Sequence, residues 1–225
     1  MFRLDQFFRV CDDDVKMPDG KSITMRVLSD IEMNGRQSYS LAKMTEVTKE
    51  LRSPESDLHQ QKIAPLADAP RESLMDTIVQ SRRWELIREA NELFRYDILP
   101  YPENATELEK VEVETNQAKH ETSVAETRLK YVVDNEKAFR DRLESLDLAT
   151  LIKTAQERAI QSYSISSGID AETYYTLWCA CEVNGKPYFS APESVAKINP
   201  KVITFLAKTY KGLDSIDPWE LTKSV

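Results

Sequence analysis

The 225-residue chain has little of what most catalytic and cofactor-binding sites are built from. It holds five glycines, and Gly20, Gly35, Gly168, Gly185 and Gly212 stand far apart. Phosphate-cradling loops need clustered glycines, because backbone N–H groups must approach the ligand closely. Neither G-x-G-x-x-G nor G-x-x-x-x-G-K-[ST] occurs. The two histidines, His59 and His120, lie in different segments, without H-E-x-x-H or a cysteine pair at zinc-ligand spacing. Three cysteines do not make a disulfide framework. The C-x-C at Cys179 and Cys181 reads as two small buried residues. No apolar run approaches the ~18 residues that span a bilayer, and the mean hydropathy is -0.50. The first residues carry no apolar stretch of signal-peptide length, so a cytosolic protein is expected. Positive charge is also short, with Lys and Arg totalling 30 against 38 Asp and Glu, a net -8. Affinity for a phosphate backbone comes from a basic face, so neither nucleic acid nor a membrane is an expected partner. The composition therefore favours a protein that works by binding another protein: no metal or cofactor is expected, and an enzyme is not the expected reading.

The N-terminal part predicts a β-hairpin. Phe7, Phe8 and Val10 form one apolar run, and S-I-T-M-R-V-L (22–28) alternates at Ile23, Met25 and Val27, as a half-buried strand does. An acidic loop is expected between them, holding Asp12, Asp13 and Asp14 and the turn P-D-G (18–20). The three aspartates lack the D-x-D-x-D-G spacing of a calcium loop, so a solvated loop is the better reading. S-D-I-E (29–32) is a capping box, followed by a helix to about residue 51 with Leu41, Met44, Val47 and Leu51 in its stripe. Residues 53–70 carry Pro54, Pro65 and Pro70 and read as a long connection. A second helix is expected over 71–95, with Met75, Ile78, Val79, Leu86, Ala90 and Leu93 inward. Its other face is polar except for Trp84, which is either half-covered by a neighbouring helix or an exposed anchor for a partner.

Residues 103–167 contain no Gly and no Pro and are rich in strong helix formers. Counting sevens from Leu108 puts Thr115, Thr122, Leu129, Glu136 and Leu143 at a positions. The d positions are Val111, Ala118, Ala125, Val132, Phe139 and Leu146. The half-polar a register makes a weak coiled-coil seam, suited to packing within one chain or to a loose homo-oligomer. The register drifts at 147–149, where a break is expected, and Gly168 reads as the end of the helical region. Beyond it, Asp170 caps a helix through Tyr174, Leu177, Trp178 and Cys181, and N-G (184–185) makes a tight turn into K-P-Y-F. S-A-P-E (190–193) reads as a second capping box, and N-P (199–200) starts a last helix through Val202, Leu206, Tyr210 and Leu213, with Gly212 as its C-cap. The expected fold is mainly α: a short N-terminal β-hairpin, then an α-helical bundle with one long helix and a small C-terminal helical module. The expected segments are 1–98, 99–168 and 169–225.

This closing pattern resembles the C-terminal part of tail assembly chaperones of long-tailed bacteriophages. An apolar helix (178–181), the turn N-G-K-P-Y-F (184–189), S-A-P-E-S-V (190–195) and a final amphipathic helix (202–213) follow in the order found there. P-D-G-K-S-I-T-M-R-V-L-S-D-I-E (18–32) also looks like the start of such proteins. The resemblance covers about 40 residues well and about 30 more loosely, and it rests on pattern, without an invariant catalytic residue. It implies a chaperone that coats the hydrophobic, helical tape measure protein in the host cytoplasm until tail tube subunits displace it. The tape measure protein is then the partner, with the tail tube protein second. It also makes Trp178, Tyr188 and Phe189 candidate groove-lining residues beside Trp84, against the alternative that they form a local core. Other classes stay open: a structural or scaffolding phage component assembled through the long helix, an enzyme, or a regulatory adaptor.

Overall fold

The computed structural model describes residues 11–17, 20–95 and 106–214, with the side chains of 11–14 excepted. The elements are β1 (Cys11–Lys16), β2 (Ser22–Arg26), α1 (Asp30–Arg52), α2 (Asp57–Lys62), a 3-10 turn (Ala64–Ala67), α3 (Arg71–Leu93), α4 (Glu107–Glu144), α5 (Leu148–Ala180), β3 (Cys181–Val183), β4 (Lys186–Pro187), α6 (Pro192–Val195) and α7 (Pro200–Asp214). The chain is mainly α, with an N-terminal strand pair and one long helix, as its residue pattern implies. It divides into two compact units, Met1–Lys49 with Tyr163–Val225, and Glu50–Ser162. The first unit therefore draws on both ends of the chain, and the position 168 expected as a segment boundary lies inside α5.

In the first unit the strands form one antiparallel sheet in the order β1-β2-β3-β4. Ile23 and Met25 of β2 face the core, at 1% and 0% exposure. Asp12, Asp13 and Asp14 belong to β1 rather than to a loop, and a bulge between Asp12 and Val15 takes up the register shift. The strand expected over Phe7, Phe8 and Val10 lies outside the described residues. Asn184 and Gly185, with φ of 52° and 72°, make the two-residue hairpin turn between β3 and β4. The pairing of β2 with β3, Thr24 opposite Glu182 and Met25 opposite Cys181, joins the two hairpins. Leu177, Val195, Leu206 and Tyr210 close the core below them.

Arg26 ties three elements of this unit together. It is 8% exposed at the end of β2. Its Nη1 and Nη2 donate to Glu32 of α1 at 2.8 and 2.6 Å, and its Nε donates to Glu182 of β3 at 2.6 Å. Glu32 also closes the capping box of α1, accepting from the Ser29 amide at 2.8 Å and from its hydroxyl at 2.7 Å. The Arg26 guanidinium overcomes the opposing effect of burial and holds the Glu32 carboxyl at about 2, against an ordinary 4.5.

Helices α1 and α5 approach closely within this unit. A Cβ on Gly35 would lie 2.3 Å from the Tyr175 hydroxyl, and one on Gly168 would lie 2.5 Å from Met44 Cγ. Gly168 thus ends nothing: α5 runs through it and through Asp170, because the residue's role is close packing, not capping. The buried Ser40 hydroxyl donates to the Gly168 carbonyl at 2.9 Å, and Thr48 donates to Ser164 at 2.8 Å. The C-terminal caps also differ in detail from the pattern. At α6 the amide of Ala191 donates to Ser194 Oγ at 3.3 Å, while Glu193 accepts from Tyr39 at 2.7 Å instead of closing a box with Ser190. Asn199 caps α7 by accepting from the Lys201 amide at 2.9 Å, and the helix continues past Gly212 to Asp214.

In the second unit α3 and α4 form an antiparallel pair with reciprocal caps. Arg71, at the start of α3, donates to the carbonyls of Glu144 and Leu146 at 2.8 and 2.6 Å. Arg128 of α4 donates through Nε and Nη2 to the Phe94 carbonyl at 2.9 and 2.6 Å. Each cation answers the exposed carbonyls that end a helix. Leu74, Met75 and Ile78 pack with Leu143, Leu151 and Ala155, whereas Leu93, expected inward, is exposed because α3 ends there. The stretch 53–70 is ordered, not a bare connection: it holds α2 and the 3-10 turn, and it buries Ile63. His59 Nδ1 lies 2.6 Å from the Leu51 carbonyl. The break between α4 and α5 falls where the register drifts, and Asp147 caps α5 by accepting from the Thr150 amide at 2.9 Å.

Two outcomes follow for stability. Gly35→Ala gains ~1 kcal/mol of helix propensity, but its Cβ meets the ring of Tyr175. A net loss of about 1–3 kcal/mol is expected from this overpacking. Gly212→Ala meets nothing within 4 Å, so it should stabilise the chain by up to ~1 kcal/mol. Urea denaturation of both variants checks the contrast. The Glu32 carboxyl is depressed in the folded chain, so its contribution is present above its ordinary pKa and drains as pH falls from about 4.5 to about 2. Acid titration of stability should show this loss, and Glu32→Gln should flatten it.

Candidate partner-binding surface

The four aromatic side chains singled out by pattern fall into two different environments. Trp84 lies on the face of α3 turned away from Met75, Ile78 and Leu86, and it is 76% exposed. No neighbouring helix half-covers it. Trp178, Tyr188 and Phe189 belong to the first unit and serve its packing. Phe189 is 6% exposed, with Tyr188 edge-on to it at 4.9 Å. The Tyr188 amide donates to the Cys181 carbonyl at 2.8 Å. Trp178 stacks edge-on against Tyr175 at 5.4 Å and packs on the same core. Phe189 is thus part of the local core, while Trp178 and Tyr188 stay half-buried against it. The N-G turn folds K-P-Y-F back onto the end of α5, where burial of the rings stabilises the junction of sheet and helices.

The larger exposed surface is on α4, and the aromatic pattern missed it. Arg140 of α4 bonds Glu72 and Asp76 near the start of α3, at 2.5 and 2.6 Å. Arg128 reaches the Phe94 carbonyl just past the end of α3. The α4 residues before Arg128 thus extend beyond α3 for about twenty residues, or about 30 Å. Later seam positions are used inside the chain: Val132 packs with Leu86 and Ala90, and Leu143 with Leu74 and Met75. Earlier ones are not. Leu108 is 84% exposed and Leu129 62%, and Val111, Thr115, Ala118, Thr122 and Ala125 are exposed between them. The heptad count held the signal for this stripe; where α3 ends did not show in the count. The overhanging part begins at a full capping box, in which Thr106 and Glu109 exchange side-chain and backbone bonds. That contact lowers the Glu109 carboxyl.

Arg82 and Arg158 are engaged within the unit. Arg82 pairs with Glu85 and Glu89, and Arg158 pairs with Glu85 at 2.8 Å. Burial raises the Glu85 carboxyl, yet the two guanidinium groups hold it below its ordinary value. Elsewhere, burial pushes the Cys179 thiol up to about 11 and Cys181 up to about 12, so both stay protonated and unreactive. Among the described residues no three His, Cys, Asp or Glu side chains converge on a metal position, and no helix is long and apolar enough to cross a membrane.

Comparison of the chain with protein-family models, with curated proteins and with solved structures gave no match. Trp84→Ala should change folding stability by less than ~0.5 kcal/mol, as an exposed substitution does. Phe189→Ala should cost ~3–5 kcal/mol through the cavity it leaves. Equilibrium urea unfolding of the two variants measures the difference directly.

Proposed function

We propose that the chain is a phage tail assembly chaperone, which binds the hydrophobic, helical tape measure protein in the host cytoplasm and keeps it soluble. The observation that carries this reading is the set of exposed apolar side chains on the helices of the second unit: Trp84 and Leu93 on α3, and Leu108, Val111 and Leu129 on α4. Large apolar groups held out to water on an ordered unit mark a surface for a partner. A helical partner answers them with its own apolar stripe, the helix-in-groove mode of recognition. The net charge of -8 supports solubility of the loaded complex through self-repulsion. The choice of partner draws on the resemblance over residues 178–213. Capture and release are binding equilibria in this scheme, so no cofactor and no catalytic group takes part. Release follows when tail tube subunits compete for the same apolar faces of the tape measure helix.

Co-expression with the tape measure protein, followed by size exclusion, tests the reading. The tape measure protein should stay soluble and co-elute with this chain, and should precipitate without it. Trp84→Ala should weaken capture by ~2 kcal/mol or more, the scale of an interface hot spot, with stability unchanged. A chain that self-assembles, captures nothing and remains in the finished particle would instead be a scaffold built through α4.

A further inference from the structure

The overhanging part of α4 has three properties that together restrict what can dock on it. First, its a and d positions are exposed along their whole length: Leu108, Val111, Ala118, Ala125 and Leu129, with Thr115 and Thr122 between them. Second, the middle of the stripe is shallow. Thr115, Ala118 and Thr122, with Lys119, Ser123 and Glu126, line an open depression, so a facing helix could seat bulky side chains there. Third, the positions flanking the stripe are acidic. The g positions are Glu107, Glu114, Glu121 and, at the α3 end, Arg128, which is engaged with the Phe94 carbonyl; the e positions are Glu112, Lys119 and Glu126. Lys110 pairs with Glu107 at 2.8 Å and Gln117 donates to Glu121 at 3.1 Å, which moderates this acid edge but leaves its sign.

In a two-stranded coil the e and g side chains meet across the seam and choose the partner. A second copy of this chain is a poor occupant. In a parallel pair, Glu107 would face Glu112 of the other copy and Glu121 would face Glu126; only Glu114 would meet a lysine. In an antiparallel pair the g positions meet one another, and the e positions likewise, again mostly glutamate on glutamate. Two shallow Ala and Thr layers facing each other would also bury little apolar surface. We propose that residues 107–129 of α4 bind a basic amphipathic helix, about twenty residues long. Its heptad core positions are bulky and apolar, and its flanks are Lys or Arg. The inference deepens the chaperone reading by naming the chemistry of the bound helix, and it rests on that reading only for where the helix comes from.

The probe is a synthetic helix of about three heptads with Leu at a and d and Lys at e and g, titrated against the full chain by fluorescence anisotropy. A second peptide carries Glu at e and g and the same Leu core. The Lys peptide should bind at least tenfold tighter than the Glu peptide, and the preference should shrink at high salt, where surface charges are screened. The triple variant Glu112→Lys, Glu121→Lys, Glu126→Lys changes only exposed side chains, and it should reverse the preference. Equal binding of the two peptides, no reversal in the triple variant, or self-association that Leu108→Gln with Leu129→Gln abolishes would each overturn the proposal. Tape measure capture that survives the triple variant intact overturns it while leaving the chaperone reading standing. The charge preference without tape measure capture supports it and removes that reading.

Discussion

Burial of the Arg26 guanidinium between two carboxylates is the interaction on which the first unit depends. Arg26 belongs to β2, Glu32 to the first turn of α1 and Glu182 to β3, so one cation fixes the angle between sheet and helix and the pairing of two hairpins far apart in the chain. A guanidinium so covered is tolerable only with its donors satisfied. Two carboxylates in bonding distance meet that demand. Removing Glu32 would also uncap α1, since the same carboxylate accepts from Ser29. The sheet, the helix start and the α1–α5 approach at Gly35 are thus coupled through a few side chains.

The second unit is held in a different way. Arg71 and Arg128 each close the end of the opposite helix, so α3 and α4 define each other's limits. Apolar packing is concentrated where both helices are present, around Met75, Ile78, Leu86, Val132 and Leu143. Past the end of α3 the long helix goes on without that partner. Local sources support it there: the Thr106–Glu109 box, helix-forming residues and acidic groups near the N-terminus. A helix stable without burying its apolar stripe leaves that stripe available for binding.

This division of labour accounts for the character of the exposed surface. Trp84 stands alone on a polar face, while the α4 stripe is long, shallow and edged with acid. The first can act as a single anchor; the second selects by length and charge. Neither needs a titrating group or a bound ion, which fits a protein whose proposed work is capture and release.

The amino-acid sequence by itself determined the local elements. The S-x-x-E box at Ser29, the alternation at Ile23 and Met25, the N-G turn at 184–185 and the register drift at 147–149 each act over a few residues, and each appears in the structure. A further T-x-x-E box at Thr106 was legible by the same rule. Tertiary structure alone decided the meaning of Gly168, the depth of Phe189 and the exposure of the α4 stripe. Each depends on a distant segment: Met44 on α1, the core shared by both hairpins, and the point at which α3 stops. Spacing along a chain records which residues share a face, but whether a face is covered depends on which other element folds against it.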